Sequence, residues 1–354
     1  MLYARKSEHL QICLNERVRS ATTTGLERYH LIHQALPEMA LEEVSTATEF
    51  LGHPLNAPLL ISSMTGGTAL AQMVNQRLAT AAQELGLAMG LGSQRTAIEE
   101  PALAQTFQVR HLAPDALLFA NLGAVQLNYG YGPEECLRAV ETLEADALVL
   151  HLNPLQEALQ PEGDTNFAGL LEKIGQVCHA LPVPVIVKEV VWGLSQAAAQ
   201  ALRQVGVAAL DVAGAGGTSW SEVERHRSAS PADAEIAAPF VDWGIPTAES
   251  LTQVRQVCPD TPLIASGGIT NGVEVGVCLA LGANLVGMAY PLLRPATESA
   301  QAVIEKLTIV LRQLRVAMFC SGAASIARLT ASSCDRSFSW GMPGKASPGL
   351  VSCL

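Results

Sequence analysis

Charged residues are scarce in this sequence, and basic residues are the scarcer kind. Only 16% of the 354 residues are charged, and 22 basic side chains stand against 33 acidic ones, a formal net charge of −11. Nucleic acids and anionic membrane surfaces are bound through a basic face. We therefore expect no nucleic-acid partner and no membrane partner, although a few local cations suffice for a small anionic ligand.

Long apolar runs and paired cysteines are also missing. No run approaches the ~20 apolar residues of a membrane-spanning helix, and the first residues, Met-Leu-Tyr-Ala-Arg-Lys, lack the apolar segment of a secretory signal. The eight cysteines, at positions 13, 136, 178, 258, 278, 320, 334 and 353, form no Cys-x-x-Cys pair. Scattered cysteines indicate reduced, mostly buried thiols rather than a disulfide framework or a zinc site. A cytoplasmic protein is expected.

Short apolar runs and helical patterns alternate from about residue 57 onward. The predicted strands are Ala57–Met64, Leu87–Gly92, Ala116–Leu122, Ala147–Leu152, Val183–Val190, Ala208–Val212, Leu263–Ser266 and Leu285–Ala289. Helical stretches between them include Ala69–Leu85, Pro133–Glu144, Ser195–Val205 and Asn271–Leu281. Near-continuous apolar strands are typical of parallel sheets covered on both sides. Eight strand–helix units predict an α/β fold, a closed (β/α)8 TIM barrel.

The barrel is expected to occupy one domain, residues 1–329, in which residues 1–55 form an N-terminal extension. Two long βα loops, Pro154–Asn166 and Thr218–Gly244, follow the fourth and sixth strands. Loops at the carboxyl ends of the strands build the active site of such a barrel. The segment 330–354 is rich in Ser, Cys and Gly without a helical period, and we expect it to be irregular or disordered.

Two glycine-rich strand ends indicate a phosphate site. Ala213–Ser219 follows the sixth strand, and Gly267-Gly268-Ile269 follows the seventh. Glycine lets backbone N–H groups approach an anion closely, and this kind of barrel often binds phosphate after its seventh and eighth strands. The first segment does not match G-x-G-x-x-G, so a Rossmann fold is disfavoured; a simple tight turn is the alternative for each glycine pair.

Polar side chains end six consecutive strands, which stability alone does not explain. Lys188 is the sharpest case, because it interrupts the apolar strand Val185–Val190. It could pair with Glu189 at an edge, but neighbours on a strand point to opposite faces. A lysine directed into a barrel mouth needs an anionic partner, so a ligand or cofactor role is favoured.

Other polar residues leave two interpretations open. His151 could be structural, although Asn153 and Gln156 nearby favour a site. Glu157 could hold Mg²⁺, which uses one or two carboxylates plus ligand phosphates, or it could be a solvated loop carboxylate. Arg5 and His9 would share a face of a helix, although a basic N-terminus is usually mobile.

In combination and in order, these residues resemble the type 2 isopentenyl-diphosphate isomerases, FMN-dependent barrel enzymes. The resemblance runs from Arg5 to about Leu329. Its motifs are Arg5-Lys6-x-x-His9, Met64-Thr65-Gly66-Gly67, Gly92-Ser93-Gln94-Arg95, Asn121-Leu122-Gly123, His151-x-Asn153-x-x-Gln156-Glu157, Val187-Lys188-Glu189, Gly214-x-Gly216-Gly217-Thr218-Ser219-Trp220 and Ser266-Gly267-Gly268.

The resemblance implies interconversion of isopentenyl and dimethylallyl diphosphate with reduced FMN, Mg²⁺ and NADPH as reductant, in a homo-oligomer (a tetramer or octamer). FMN would contact Ser63, Met64, Thr65, Ser93, Asn121, Lys188, Thr218, Gly268, Ile269, Thr270, Ala289 and Tyr290. Substrate would contact Arg5, Lys6, His9, Arg95, His151, Asn153, Gln156 and Trp220. Glu157 would bind the metal, residues 1–55 would contribute to substrate binding, and the reduced flavin would be the acid and base.

The implied roles agree with physical chemistry. Lys188 near the N1–C2 edge would stabilise an anionic reduced flavin. Gln156, the catalytic candidate, would act in positioning or proton relay, because an amide is a poor general acid. Trp220 would cover the apolar tail of the substrate and exclude water. Two departures stand out: many relatives have an arginine where this chain has Thr270, and the segment after Leu329 does not follow the family's usual ending.

Two rival functions remain. An FMN-dependent 2-hydroxy-acid oxidase would share the barrel, but it usually needs a histidine base near the late strands, and no histidine follows His226. A non-catalytic flavin- or phosphate-binding protein would lack the substrate set, whereas Arg5, His9 and Gln156 are present.

Overall fold

A computed structural model describes residues 2–336, and most of its strands form one barrel. The strands are β1 (Tyr29–Leu31), β2 (Thr48–Phe50), β3 (His53–Leu55), β4 (Leu59–Ile61), β5 (Ala88–Gly90), β6 (Leu118–Gly123), β7 (Ala147–Leu152), β8 (Val185–Glu189), β9 (Ala209–Asp211), β10 (Leu263–Ala265), β11 (Leu285–Met288) and β12 (Cys334–Arg336). Strands β4 to β11 form a closed barrel in chain order, with β11 pairing β4. Every pair in the ring is parallel, as predicted.

Several barrel strands are shorter than their apolar runs. The first strand was predicted over Ala57–Met64, but the paired residues are Leu59–Ile61. The residues beyond Ile61 leave the ladder and line the mouth of the barrel. Apolar composition reports burial, whereas a strand ends where its backbone stops pairing with its neighbours.

Side chains alternate between two cores along each strand. Ile186 and Phe119 point into the barrel, while Val185 and Val187 belong to the outer layer between strands and helices. This period of two puts Lys188 on the same inner face as Ile186. The same alternation turns His151 inward, two residues after Val149.

A hairpin closes the amino end of the barrel. Strands β2 and β3 pair antiparallel, and Phe50 and Leu55 pack on the first inward residues of the barrel strands. The Phe50 and Phe119 rings lie 6.4 Å apart between centroids. This part of the N-terminal extension therefore lies at the opposite end of the barrel from the polar strand ends.

Helices cover the outside of the barrel. They are α1 (Leu2–Asn15), α2 (Ala69–Leu85), α3 (Arg95–Glu99), α4 (Pro133–Leu143), α5 (Pro154–Leu159), α6 (Leu170–Ala180), α7 (Gln196–Gln204), α8 (Trp220–Arg227), α9 (Pro231–Ala237), α10 (Thr247–Val257), α11 (Gly272–Ala280), α12 (Tyr290–Glu298) and α13 (Ala300–Cys320). Helix α2 matches its prediction because both ends carry local signals: the Thr68 hydroxyl accepts from Ala71 N, and Gly86 ends the helix at φ 62°. No helix within residues 2–336 is long and apolar enough to cross a membrane.

The chain preceding the barrel returns to its open end. Helix α1 packs on α8, and the segment after it runs beside the loop following β9. Ser219 N donates to Val18 O at 2.7 Å, and Ser20 N donates to Gly217 O at 2.9 Å. These bonds hold α1 across the mouth.

The end of the described chain departs from its prediction. The segment after Leu329 was predicted to be irregular, but Cys334–Arg336 forms β12, antiparallel to β1. Backbone pairing with a distant strand supplies the order that local composition does not indicate. The rest of the predicted tail, 337–354, lies outside the described residues.

The cysteines between residues 2 and 336 are unpaired, in line with the prediction of free thiols. Cys136, Cys258 and Cys278 are buried in the outer core. Burial raises the pKa of the Cys136 thiol to about 12 and thus keeps it protonated.

Candidate active site

A cavity of about 520 Å³ opens at the carboxyl ends of the barrel strands. Every residue predicted to bind the cofactor, the substrate or the metal lines this cavity. These residues are Arg5, Lys6, His9, Ser63, Met64, Thr65, Ser93, Arg95, Asn121, His151, Asn153, Gln156, Glu157, Lys188, Thr218, Trp220, Gly268, Ile269, Thr270, Ala289 and Tyr290. Motifs that are up to 285 positions apart in sequence thus meet in one chamber.

The floor of the cavity is a hydrogen-bonded polar layer. Asn121 Oδ1 and His151 Nδ1 are 2.8 Å apart, and Asn121 Nδ2 donates to Ser63 Oγ at 2.9 Å. Burial and the charges of Lys188 and Lys6 lower the pKa of His151 to about 3. His151 is therefore a neutral imidazole near pH 7, suited to hydrogen bonding rather than to holding a positive charge.

Lys188 is a buried cation in this layer. It lies opposite His151 on one side and Asp211 on the other, in the registers of β7–β8 and β8–β9. Its Nζ donates to the Glu189 carbonyl, whereas the Glu189 carboxylate accepts from the backbone of Val191 and Trp192. The two side chains diverge, as the strand geometry predicted.

Asp211 was not among the predicted site residues. Its Oδ1 accepts from Ser266 Oγ at 2.7 Å, beneath the glycine turn after β10. Burial raises the pKa of Asp211, and the charge of Lys188 opposes that rise. The signal was present in the sequence, since an aspartate interrupts the apolar run Ala208–Val212.

The two glycine-rich strand ends meet at one wall. A Cβ on Gly217 would lie 2.6 Å from Gly268 N, so only glycine permits this approach. Gly267 and Gly268 have φ values of 106° and 74°. Ser62 Oγ, beside this wall, is buried without a partner among the described residues. Exposed backbone amides, a free hydroxyl and Lys188 fit a flavin phosphate and ring.

Three cations cluster on the other side. Arg5 and Lys6 come from α1, and Arg95 begins α3. Lys6 Nζ donates to Ser93 O and Thr96 Oγ1. Burial, followed by the charges of Arg5 and Arg95, lowers the pKa of Lys6 to about 7. Arg95 pairs with Glu99 and Asp164 at the rim, and the cluster as a whole suits a polyanionic ligand.

Helix α5 presents an amide–carboxylate cluster between these two sides. Asn153 Nδ2 donates to Gln156 Oε1 at 3.1 Å and to Glu157 Oε1 at 2.8 Å. Glu157 Oε2 accepts from Asp164 N at 2.7 Å. Asn153 Oδ1 is buried and unpartnered within the described part of the chain.

This cluster fits Mg²⁺ only as a shared site. Among residues 2–336 no three His, Cys, Asp or Glu side chains gather around a metal position. One carboxylate and one free amide oxygen nevertheless match a cation that takes the rest of its ligands from phosphate and water. These donors fit the metal, and the role of Glu157 as its ligand stays a prediction.

A buried carboxylate, Glu224, organises the substrate side and was missed. Its Oε1 accepts from Gln156 Nε2 at 3.2 Å and from Gln160 Nε2 at 2.6 Å. His9 Nε2 lies 3.0 Å from the same oxygen, although its N–H is not aligned for a hydrogen bond. Burial favours a higher pKa, but His9 and Arg227 lower the pKa of Glu224 to about 2. Its sequence context, an exposed-looking helix in a long loop, carried no signal.

Trp220 closes the cavity from the loop after β9. Its ring meets the His9 ring edge to face, with centroids 5.0 Å apart. The contact joins α8 to α1, so the tryptophan predicted as a cover lies where the N-terminal helix crosses the mouth.

Known proteins resemble this chain over most of its length. Residues 11–125 and 134–336 match the family model described as FMN-dependent dehydrogenase. An isopentenyl-diphosphate delta-isomerase from Nostoc is 53% identical over 92% of this chain and 93% of its own. Enzymes of the same name from Synechococcus and Rickettsia peacockii are 57% and 49% identical, over 92% and 91% of this chain and 94% of their own lengths.

Solved structures share the barrel at much lower identity. An (S)-mandelate dehydrogenase has a TM-score of 0.69 at 18% identity, covering 94% of this chain and 98% of its own. A flavocytochrome b2 with sulfite bound has a TM-score of 0.69 at 16% identity, covering 97% and 89%. At this distance the likeness confirms the TIM-barrel fold alone. The chain is thus a member of the FMN-dependent dehydrogenase family and, within it, belongs to the isopentenyl-diphosphate delta-isomerases.

Proposed function

We propose that this protein interconverts isopentenyl and dimethylallyl diphosphate, with FMN bound in the barrel mouth. The observation that carries the proposal is the division of one cavity into two sides. A glycine wall with Lys188 suits a flavin, and the cations Arg5, Lys6 and Arg95 face it across the α5 cluster. The reaction shifts a double bond by adding a proton to one carbon and removing one from another, with no net redox change.

Reduced FMN, when bound, supplies the acid–base chemistry at the alkene. Lys188 holds a positive charge at the floor, where it favours an anionic ring over a neutral one. Ser62, with its free hydroxyl, and Asn121 would orient the ring from the same floor. The remaining predicted contacts, Ser63 to Thr65, Ser93 and Thr218, surround the same position.

The substrate side positions a diphosphate and excludes water. Arg5, Lys6 and Arg95 would bind the diphosphate oxygens, and Glu157 with Asn153 Oδ1 would share Mg²⁺ with them. His9 would donate a hydrogen bond to the substrate. His151, whose Nδ1–H donates to Asn121 Oδ1, would face the substrate with Nε2 as an acceptor. Trp220 would shield the charge that develops on the branched carbon chain.

Gln156 acts by positioning in this scheme. Its amide is held at both ends, by Asn153 at Oε1 and by Glu224 at Nε2. An amide has no pKa near neutrality and is therefore unsuited to donate a proton by itself. Gln156 Nε2 and Gln160 Nε2 both donate to Glu224 Oε1, and the low pKa of Glu224 keeps it an acceptor, so this chain orients the Gln156 amide.

The decisive experiment is anaerobic turnover of isopentenyl diphosphate with FMN, Mg²⁺ and NADPH, omitting one at a time. NADPH should be needed only in catalytic amount, to reduce the flavin, and chelation of Mg²⁺ should abolish turnover. In a separate assay under air, stoichiometric oxygen consumption with a 2-hydroxy acid would instead favour the oxidase. The chain has no histidine after His226 to serve as the base of that reaction.

Matched variants test the α5 cluster. Gln156→Ala and Glu157→Ala should each lower kcat at least about 100-fold, the scale of a lost transition-state contact, with unchanged FMN loading. Gln204→Ala and Glu141→Ala, which change exposed residues on α7 and α4, should leave turnover intact. Full activity in both α5 variants would overturn the site assignment.

The proposal also includes assembly into a homo-oligomer, a tetramer or octamer, and a location in the cytoplasm. Light scattering of the purified protein measures the subunit number, and cell fractionation measures the location.

A further inference from the structure

The glycine wall offers an anion only neutral donors. After β10 the chain passes through Gly267, Gly268 and Thr270 into α11, and after β11 it passes through Ala289 into α12. The N–H groups of such turns and helix starts attract phosphate oxygens. They carry partial charges, however, and none of the side chains in these two turns is a cation.

A carboxylate lies beside this wall. Glu274 Oε2 accepts from Thr270 N at 2.7 Å and from Thr270 Oγ1 at 3.1 Å. The hydroxyl and amide of Thr270 are thereby committed to a negative group on the first turn of α11. A phosphate dianion that loses its hydration here needs positive charge from another element.

Six lysine and arginine side chains line the cavity, and four of them already have partners. Arg5 contacts Gln160, Lys6 contacts Ser93, Arg95 contacts Asp164, and Lys188 contacts the Glu189 carbonyl. Arg19 and Lys306 make no ion pair or side-chain hydrogen bond within residues 2–336. These two side chains are therefore free to contact an anionic ligand at the mouth.

Lys306 lies on the side of the cavity where the glycine wall would hold the flavin phosphate. It is half-buried on α13, which packs against both α11 and α12. Gln313 Oε1 accepts from Gly272 N at 2.9 Å, at the start of α11. Lys306 precedes Gln313 by two helical turns and therefore shares its face. The first turn of α12, at Tyr290, lines the cavity with it.

Arg19 approaches the same wall from the opposite rim. The flanking residues bind the loop after β9, through Ser20 N to Gly217 O and Ser219 N to Val18 O. That loop touches the other wall segment where Gly217 packs on Gly268. Arg19 itself is exposed, so solvent and salt screen its charge more than that of Lys306.

We propose that Lys306, assisted by Arg19, neutralises the phosphate of the flavin and supplies the cation that the Thr270 turn lacks. The inference rests on the proposed function, because it requires FMN in this cavity. It predicts that these two side chains control selectivity for the phosphorylated flavin without contributing to recognition of the ring.

The test compares FMN with riboflavin, which has the same ring and no phosphate. Apoprotein is titrated with each flavin, and quenching of flavin fluorescence gives the two Kd values. Lys306→Met keeps the aliphatic stem and should weaken FMN about tenfold, the loss of one charge-assisted contact. Riboflavin affinity should stay unchanged, Lys306→Arg should restore FMN binding, and Arg19→Gln should weaken FMN about threefold, as a more screened charge.

A charge control comes from the same helix. Arg312 is exposed on α13 and does not line the cavity, so Arg312→Gln should leave both Kd values unchanged. If Lys306→Met and Arg19→Gln leave the Kd values of both flavins unchanged, the inference is overturned and the proposed function stands. Equal weakening of both flavins would also overturn it, because the effect would then lie in the fold. Failure of the unaltered protein to bind either flavin would instead remove the proposed function.

Discussion

Two layers of inward-pointing side chains inside the barrel belong to the same strands but differ in polarity. Phe119, Val149 and Ile186 point inward near the amino end. Two residues further along the same three strands, Asn121, His151 and Lys188 point inward at the carboxyl end. We call these the apolar layer and the polar layer.

The contrast separates stability from chemistry along one strand. The apolar layer is closed by the β2–β3 hairpin and keeps water from the centre of the barrel. The polar layer lies on the apolar layer and holds a buried cation and a neutral imidazole. Electrostatic effects are larger in this buried position than in water. Substitutions two residues apart should therefore have different consequences.

Phe119→Ala should produce the largest change and break the apolar layer. Removing a fully buried ring typically costs about 3–5 kcal/mol of unfolding free energy. The apparent melting temperature should fall by several degrees. Its matched partner, Asn121→Ala, loses the bonds to Ser63 and His151, so it should lower the melting temperature less than Phe119→Ala does and should lower turnover; equal losses of stability in both variants would contradict the division into layers.

Lys188→Met should produce the next largest effect, in the polar layer. It removes the cation that faces the predicted flavin edge, and kcat should fall about 100-fold, as for other preorganised charges. Ile186→Val, two residues earlier, should cost about 1 kcal/mol of stability and keep kcat. Retention of full activity in Lys188→Met would show that the polar layer is structural.

The pH dependence of kcat/KM should follow the titration of Lys6. Because the pKa of Lys6 is lowered to about 7, the free enzyme loses this cation as the pH rises through that value. We therefore expect kcat/KM to fall toward about tenfold per pH unit above pH 7. Lys6→Arg stays charged and should remove the decline; a decline that persists would assign it to another group.

The smallest expected effect belongs to His151. Burial and nearby cations lower its pKa to about 3, so it stays neutral from about pH 5 to pH 8. The pH profile of kcat/KM for His151→Gln should run parallel to that of the unaltered protein, at lower activity. Loss of an inflection near pH 6.5 in the variant would show that His151 titrates in the free enzyme.

The sequence predicted the barrel well because its signals are local. Helix α2 was predicted at its observed bounds, where the Thr68 cap and Gly86 terminate it. All eight barrel strands lie within their predicted apolar runs or one residue beyond. Strand ends were less predictable, since a residue such as Met64 is apolar without pairing in a sheet.

The predicted site residues all line the cavity for a topological reason. In a closed parallel barrel every strand end points to the same face, so polar residues after different strands converge. Glu224 and Gln160 were missed because their roles depend on how two loop helices pack. The position of α1, which brings Arg5 and Lys6 to the mouth, depends on backbone bonds to a loop about 200 residues away.

By itself the sequence determined the eight-fold repeat, the inward period of two and the type of each polar strand end, because these follow from local pattern and backbone geometry. Only the tertiary structure decided that β2 and β3 plug the amino end, that β12 pairs with β1, and that Glu224 binds Gln156. It also set the depressed pKa of Lys6. These properties come from burial and from contacts between distant segments, which no local window of sequence contains.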